Sequence, residues 1–137
     1  MQDWKGSGTL LIVEDNLGVR EVTRRMLERF GFTVLTAEDG EQGVELFSQN
    51  ADQITLALVD LVMPKLDGWE TLMQIRSVKP EARVILMSGH SEQEAHELFT
   101  DIKPTGFIQK PFSMTALLQK VRQVLEAETV NQAQSGK

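Results

Sequence analysis

Short apolar runs alternate along this chain with longer stretches whose apolar residues recur at helical spacing, and no other feature restricts the fold as much. Strands that alternate with helices are carried over to run parallel, and both faces of the resulting sheet are covered. The runs are Leu10-Leu11-Ile12-Val13, Thr33-Val34-Leu35-Thr36-Ala37, Leu56-Ala57-Leu58-Val59, Val84-Ile85-Leu86-Met87 and Gly106-Phe107-Ile108. The first, third and fourth are apolar at successive positions, as expected of strands buried on both sides.

Between the runs, Val19, Val22, Met26, Leu27 and Phe30 form one helical stripe, and Met114, Leu117, Leu118, Val121, Val124 and Leu125 form another. Thinner stripes are Val44 with Phe47, Leu72, Met73 and Arg76 after Trp69, and Ala95, Leu98, Phe99 and Ile102. The Met and Phe positions are expected in the core, with Trp69 as helix packing and Trp4 in the tail. Ser91 and Ser113 have the chemistry of N-caps, and Gly31 can close the first helix in the left-handed conformation. The pattern predicts a single α/β, doubly wound (βα)5 domain with right-handed crossovers and a parallel five-stranded sheet in the flavodoxin-like order 2-1-3-4-5.

A length of 137 residues at 41% hydrophobic content suits one domain. The expected boundaries are residues 9–128, with residues 1–8 and 129–137 as polar tails. A net charge of −6 argues against direct nucleic-acid binding, which requires clustered cations. With no cysteine, thiolate metal sites and disulfides are excluded. No apolar stretch is long enough to insert in a membrane, so a cytoplasmic location is the expectation.

In open parallel sheets the reactive crevice lies beyond the carboxyl ends of the strands. There the sequence puts Glu14-Asp15-Asn16, Asp60, Ser88-Gly89-His90 and Gln109-Lys110-Pro111. Converging carboxylates repel unless a cation intervenes, and an all-oxygen set suits Mg2+, which retains room for water and phosphate oxygens. Lys110 and Ser88 could then neutralise and hydrogen-bond a phosphoryl group passing to Asp60.

Four ordered stretches carry a specific resemblance. They are Leu11-Ile12-Val13-Glu14-Asp15-Asn16, Asp60-Leu61-Val62-Met63-Pro64-Lys65-Leu66-Asp67-Gly68, Met87-Ser88-Gly89 and Phe107-Ile108-Gln109-Lys110-Pro111-Phe112. Over approximately Thr9 to Glu128 the chain resembles the receiver domain of response regulators, the CheY-like family. That resemblance implies a two-component phosphoacceptor taking its phosphoryl group onto Asp60 from a phosphohistidine, and switching its surface in response. It implies magnesium held directly by Asp15, through water by Glu14, by Asp60, and by the backbone carbonyl of Val62. Lys110 resembles the lysine that pairs with phosphate, before a cis bond to Pro111, and Ser88 with Phe107 resembles the switch pair. The implied partners are a sensor histidine kinase or a histidine phosphotransfer domain, docking near the first helix, with a phosphorylation-dependent dimer as a further mode. The domain would catalyse its own modification without being an enzyme in the usual sense, either alone or inside a hybrid sensor histidine kinase.

Two positions depart from common usage in that family, which often has threonine at Ser88 and tyrosine at Phe107. Val62 and His90 flank the expected path of hydrolytic water, and an apolar Val62 implies slow dephosphorylation.

Plainer readings exist for several of these residues. Asp15-Asn16 would serve equally as a helix cap, Asp67-Gly68 as turn and helix start, and Lys110-Pro111 as a turn. His90 and His96 lack the spacing of transition-metal ligands. Among rival functions, a haloacid-dehalogenase-type phosphohydrolase needs a second Asp where Val62 stands. A flavin carrier needs a phosphate loop that Glu14-Asp15 would repel, and a scaffold that has lost phosphorylation would be missing part of this site.

Overall fold

A computed structural model of the chain describes residues 6–63, 66–91, 93–94 and 104–135, with side chains described as far as Glu126. Five strands, β1 (Thr9–Val13), β2 (Thr33–Ala37), β3 (Ile54–Asp60), β4 (Val84–Ser88) and β5 (Gly106–Gln109), form one sheet. Its order is β2-β1-β3-β4-β5 and every pairing is parallel. The helices among the described elements are α1 (Leu17–Arg29), α2 (Gly40–Gln49), α3 (Gly68–Val78) and α4 (Met114–Ser135). The predicted α/β class and strand order are those observed; β2 has the bounds of its run, and the other four strands are one to three residues longer than theirs.

Strand alternation divides the core into two layers. Leu11, Val13, Ala57, Val59, Val84, Leu86 and Phe107 face one side, where Phe47 of α2 and Leu72 and Ile75 of α3 cover them. Leu10, Ile12, Leu56, Leu58, Ile85, Met87 and Ile108 face the other, beneath Met26 and Leu27 of α1 and Leu117, Leu118, Val121 and Val124 of α4. The successive apolar residues of β1, β3 and β4 are therefore needed because each strand feeds both layers.

Helix ends follow side-chain chemistry. The carboxamide of Asn16 accepts from the amide of Val19 to start α1, while the exposed Asp15 plays no part in the cap. Gly31, at φ 102°, follows the end of α1. Ser113 caps α4 by accepting from Ala116, and Ser91 exchanges bonds with Glu94 in a capping box.

Two expectations need correction. Val19 and Val22 are 37% and 61% exposed and Met114 is 43% exposed, so they do not belong to the buried stripe; Thr23 and Met26 take the inward face of α1. Met73 likewise points outward. Helix α4 continues to Ser135, and the amide of Gly6 donates to the carbonyl of Phe30. The stripe Ala95, Leu98, Phe99 and Ile102, with Trp4, His96, Pro64 and Lys65, lies outside the described residues.

Candidate metal and phosphoryl site

The alternation that builds the core also builds the site. Ile12, Leu58 and Ile108 lie in one core layer, and two residues further along each chain come Glu14, Asp60 and Lys110. Period-two geometry carries all three to the same end of the same sheet face. Lys110 Nζ lies 2.8 Å from Glu14 Oε1 and 3.2 Å from Asp60 Oδ1. Ligand oxygens of Glu14, Asp15 and Asp60 all fall within 4.8 Å of one another.

Glu14 is 1% exposed and Asp60 5%, whereas Asp15 is open to solvent. Burial would raise the Glu14 carboxyl, but the Lys110 ammonium and the amide of Asn16, 3.2 Å from Oε2, outweigh it and hold the group below its ordinary range. Asp60 moves the other way. Its burial, followed by the charge of Glu14 beside it, outweighs Lys110 and pushes it up to about 7. Burial also works against the Lys110 ammonium, yet hydrogen bonding to Glu14 and the charge of Asp60 leave it above its usual value. One ammonium thus serves two buried carboxylates, and the pair is left an electrostatic deficit that a divalent cation would cancel.

The donor set fits magnesium. It is all oxygen, with carboxylates close enough together to share one ion, as this hard cation prefers.

Backbone bonds lock the neighbouring strand ends together. Leu61 donates to Met87, at 2.8 Å, and Lys110 donates to Ser88, at 2.6 Å. Ser88 is 1% exposed and its Oγ accepts from the amide of His90 at 3.0 Å. Ser88 continues the row of Val84 and Leu86, and Phe107 pairs with Leu86, so the two occupy the same face of the sheet. Phe107 is buried in that layer. Val62 is 67% exposed in the loop after β3, and His90 is exposed, with Nδ1 3.9 Å from Glu94 Oε2. The peptide bond between Lys110 and Pro111 is cis, as expected.

Residues 10–122 match the model of the response regulator receiver domain. The chain belongs to that family. This receiver domain is 35% identical over 127 residues to the sensor kinase CckA of Brucella abortus, covering 92% of the chain and 13% of that protein. A crystal structure of the receiver domain from the hybrid histidine kinase CckA is 34% identical, with a TM-score of 0.72 over 86% of this chain and 99% of that one. CheY in the CheX-CheY-BeF3-Mg2+ complex from Borrelia burgdorferi is 31% identical, with a TM-score of 0.77 and 86% and 89% coverage. The chain spans only part of such relatives, 13% of the Brucella abortus kinase and 52% of the probable C4-dicarboxylate response regulator DctR of Bacillus subtilis. The receiver is a signalling module of the two-component type.

Within the receiver, sequence reasoning missed the parts played by Arg20 and Gly68, and Asn16, read as a helix cap, does more than cap. Asn16 combines the helix cap with an amide bond to Glu14. Arg20 Nη1 donates to the Glu14 backbone carbonyl at 2.7 Å. Gly68 begins α3 against the end of β3, where a Cβ would overlap the carbonyl of Asp60, and its amide donates to Leu61 at 2.8 Å. The spacing of Arg20, one turn into α1, was a usable signal; the closeness of Gly68 to Asp60 depends on the tertiary fold. Asp67, read as a turn residue, caps α3 in a capping box with Glu70.

A groove of about 570 Å³ lies beside the site, lined among others by Val19, Val22, Met26, Lys110, Pro111 and Phe112. No helix among the described residues is long and apolar enough to cross a membrane.

Proposed function

We propose that Asp60 is the phosphoacceptor of this receiver and takes a phosphoryl group from a phosphohistidine on a sensor histidine kinase or histidine phosphotransfer domain. The observation carrying this reading is the buried Glu14–Lys110–Asp60 cluster at the carboxyl end of the sheet, with Asp15 beside it. Asp15, Asp60 and the Val62 carbonyl would hold Mg2+, with Glu14 acting through a water. Bound magnesium supplies positive charge that favours the ionised form of Asp60 and neutralises the phosphoryl oxygens.

In the transfer a carboxylate oxygen of Asp60 forms the new O–P bond in line as the N–P bond to the donor imidazole breaks, and the imidazole leaves with that electron pair. Lys110 compensates charge on the transferring group, and Ser88 donates its hydroxyl to one of the phosphoryl oxygens. That movement of Ser88 gives up its bond from the His90 amide, and Phe107 on the same sheet face follows it. The domain accelerates its own phosphorylation and hydrolysis, without turning over a separate substrate.

The groove beside α1 suits the histidine-bearing helix, since it is apolar, adjoins Lys110 and is flanked by the exposed Leu17. Residues 9–128 form the functional unit, working in the cytoplasm without nucleic-acid contact, as part of a hybrid kinase or alone. A dimer on phosphorylation is compatible with this role.

Incubation with magnesium and acetyl phosphate, followed by intact mass measurement, tests the reading. One added phosphoryl group, lost with Asp60→Asn and with a chelator, is expected. No gain from acetyl phosphate or from a phosphorylated kinase contradicts it.

A further inference from the structure

We propose that Arg20 is a positioning residue for the metal site, acting through the peptide unit that joins Glu14 to Asp15. The inference rests on the reading of that acid pair as a magnesium site.

Glu14 follows the last residue of β1, and each of its polar groups is held from a different place. Its amide donates to the carbonyl of Ala37 at 3.1 Å. Its carboxylate accepts from Lys110 at 2.8 Å and from Asn16 at 3.2 Å. Its carbonyl accepts from Arg20 Nη1 at 2.7 Å. That last bond is short and charge-assisted, and it comes from a half-buried guanidinium fixed on a regular helix.

The carbonyl matters because the peptide is planar. The oxygen of Glu14 and the nitrogen of Asp15 belong to one rigid unit, and with the chain pinned at β1 and at the Asn16 cap a turn of that unit must change ψ of Glu14 and φ of Asp15 together, so holding the oxygen resists both. Lys110 and Asn16 already locate the Glu14 carboxylate. Asp15 is exposed, so no packing around its side chain replaces the backbone as its means of orientation. Arg20 therefore aims the Asp15 carboxylate without touching it. Without the guanidinium, the Glu14 carbonyl would lose its charged partner, and the loop could rotate to reach water.

Charge and position predict opposite outcomes. A cation near a magnesium site weakens binding by repulsion, so deleting the charge alone should tighten it. Loss of positioning weakens it, and outer-shell partners typically contribute about 10- to 100-fold in metal affinity.

Magnesium titration by calorimetry separates the two, using wild type, Arg20→Ala, Arg20→Met, Arg20→Lys and Arg25→Ala, the last an exposed arginine on the same helix. Arg20→Ala and Arg20→Met should raise the magnesium Kd by about 10-fold or more. Arg20→Lys should recover part of the loss, and Arg25→Ala should bind as wild type or slightly tighter. Acetyl phosphate labelling at saturating magnesium should return close to the wild-type rate, which a generally damaged fold would not do. If a truncation fails to fold, the Lys variant decides: an equal charge on a shorter side chain without the planar guanidinium must bind magnesium more weakly than wild type. Wild-type affinity in the Ala and Met variants, or equal loss in Arg25→Ala, overturns the positioning role. Failure of the wild type to bind magnesium instead overturns the metal reading beneath it.

Discussion

The Lys110 ammonium lies 2.8 Å from the carboxylate of Glu14, 96 residues away in sequence, and closes β1 against the end of β5. Lys110 reaches Asp60 as well, at 3.2 Å, yet Asp60 remains the group with the raised pKa. Glu14 takes most of the benefit of the shared cation, and Asp60 is left in need of another.

Removal of that need is measurable. Asp60→Asn eliminates a buried carboxylate and its repulsion with Glu14, so the metal-free variant should be at least as stable as wild type. Magnesium should stabilise wild type by about 2.7 kcal/mol at a hundred times its Kd, and the variant far less. Thermal unfolding with and without magnesium reads both effects, and equal magnesium stabilisation of the two proteins contradicts the ligand role of Asp60.

The same imbalance sets a pH dependence. Asp60 titrates near 7 in the folded metal-free protein and near 3.9 when unfolded, so the folded state binds more protons between those values. Its contribution is fully present below about 4 and is lost as pH rises through about 7. Glu14, held low, contributes the opposite slope in the more acidic range, where its stabilisation disappears as pH falls through its folded pKa. Urea unfolding in a chelator should show wild type weakening from pH 5 to 8 relative to Asp60→Asn; parallel curves would rule out the raised pKa.

Gly68 supplies a steric prediction. A methyl group there meets the carbonyl of Asp60 and the Cα of Leu61, which are backbone and cannot swing aside. Gly68→Ala should cost about 1–3 kcal/mol and slow labelling of Asp60, even though alanine is the better helix former. A gain in stability, measured by denaturant unfolding, would mean that α3 shifts freely from the strand.

On the proposed reading, Val62 sets the lifetime of the phosphorylated state. It is 67% exposed two residues beyond Asp60, and its apolar side chain cannot orient attacking water. Val62→Asn should shorten the phosphate-release half-life several-fold, followed by mass spectrometry after removal of donor. An unchanged half-life removes Val62 from the hydrolysis step.

The sheet was readable in the sequence because β1, β3 and β4 must supply both core layers, leaving continuous apolar runs. Glu14, Asp60 and Lys110 were readable because each follows such a run in phase with its inner residues. Val19 and Val22 misled because helical spacing marks a stripe without saying what covers it; both line a surface groove. The parts of Arg20 and Gly68 are harder to read: Arg20 acts on a backbone carbonyl and only its place one turn into α1 marks it, while Gly68, legible as a helix start, meets Asp60 only through the tertiary fold.

The most direct test of the central claim is reductive trapping. After incubation with magnesium and acetyl phosphate, borohydride converts an aspartyl phosphate to homoserine, and peptide mass spectrometry locates the converted residue. The account predicts homoserine at position 60, dependent on magnesium and absent when donor is omitted. Conversion at Asp15 or another acid, or none in protein shown to carry phosphate, would contradict it.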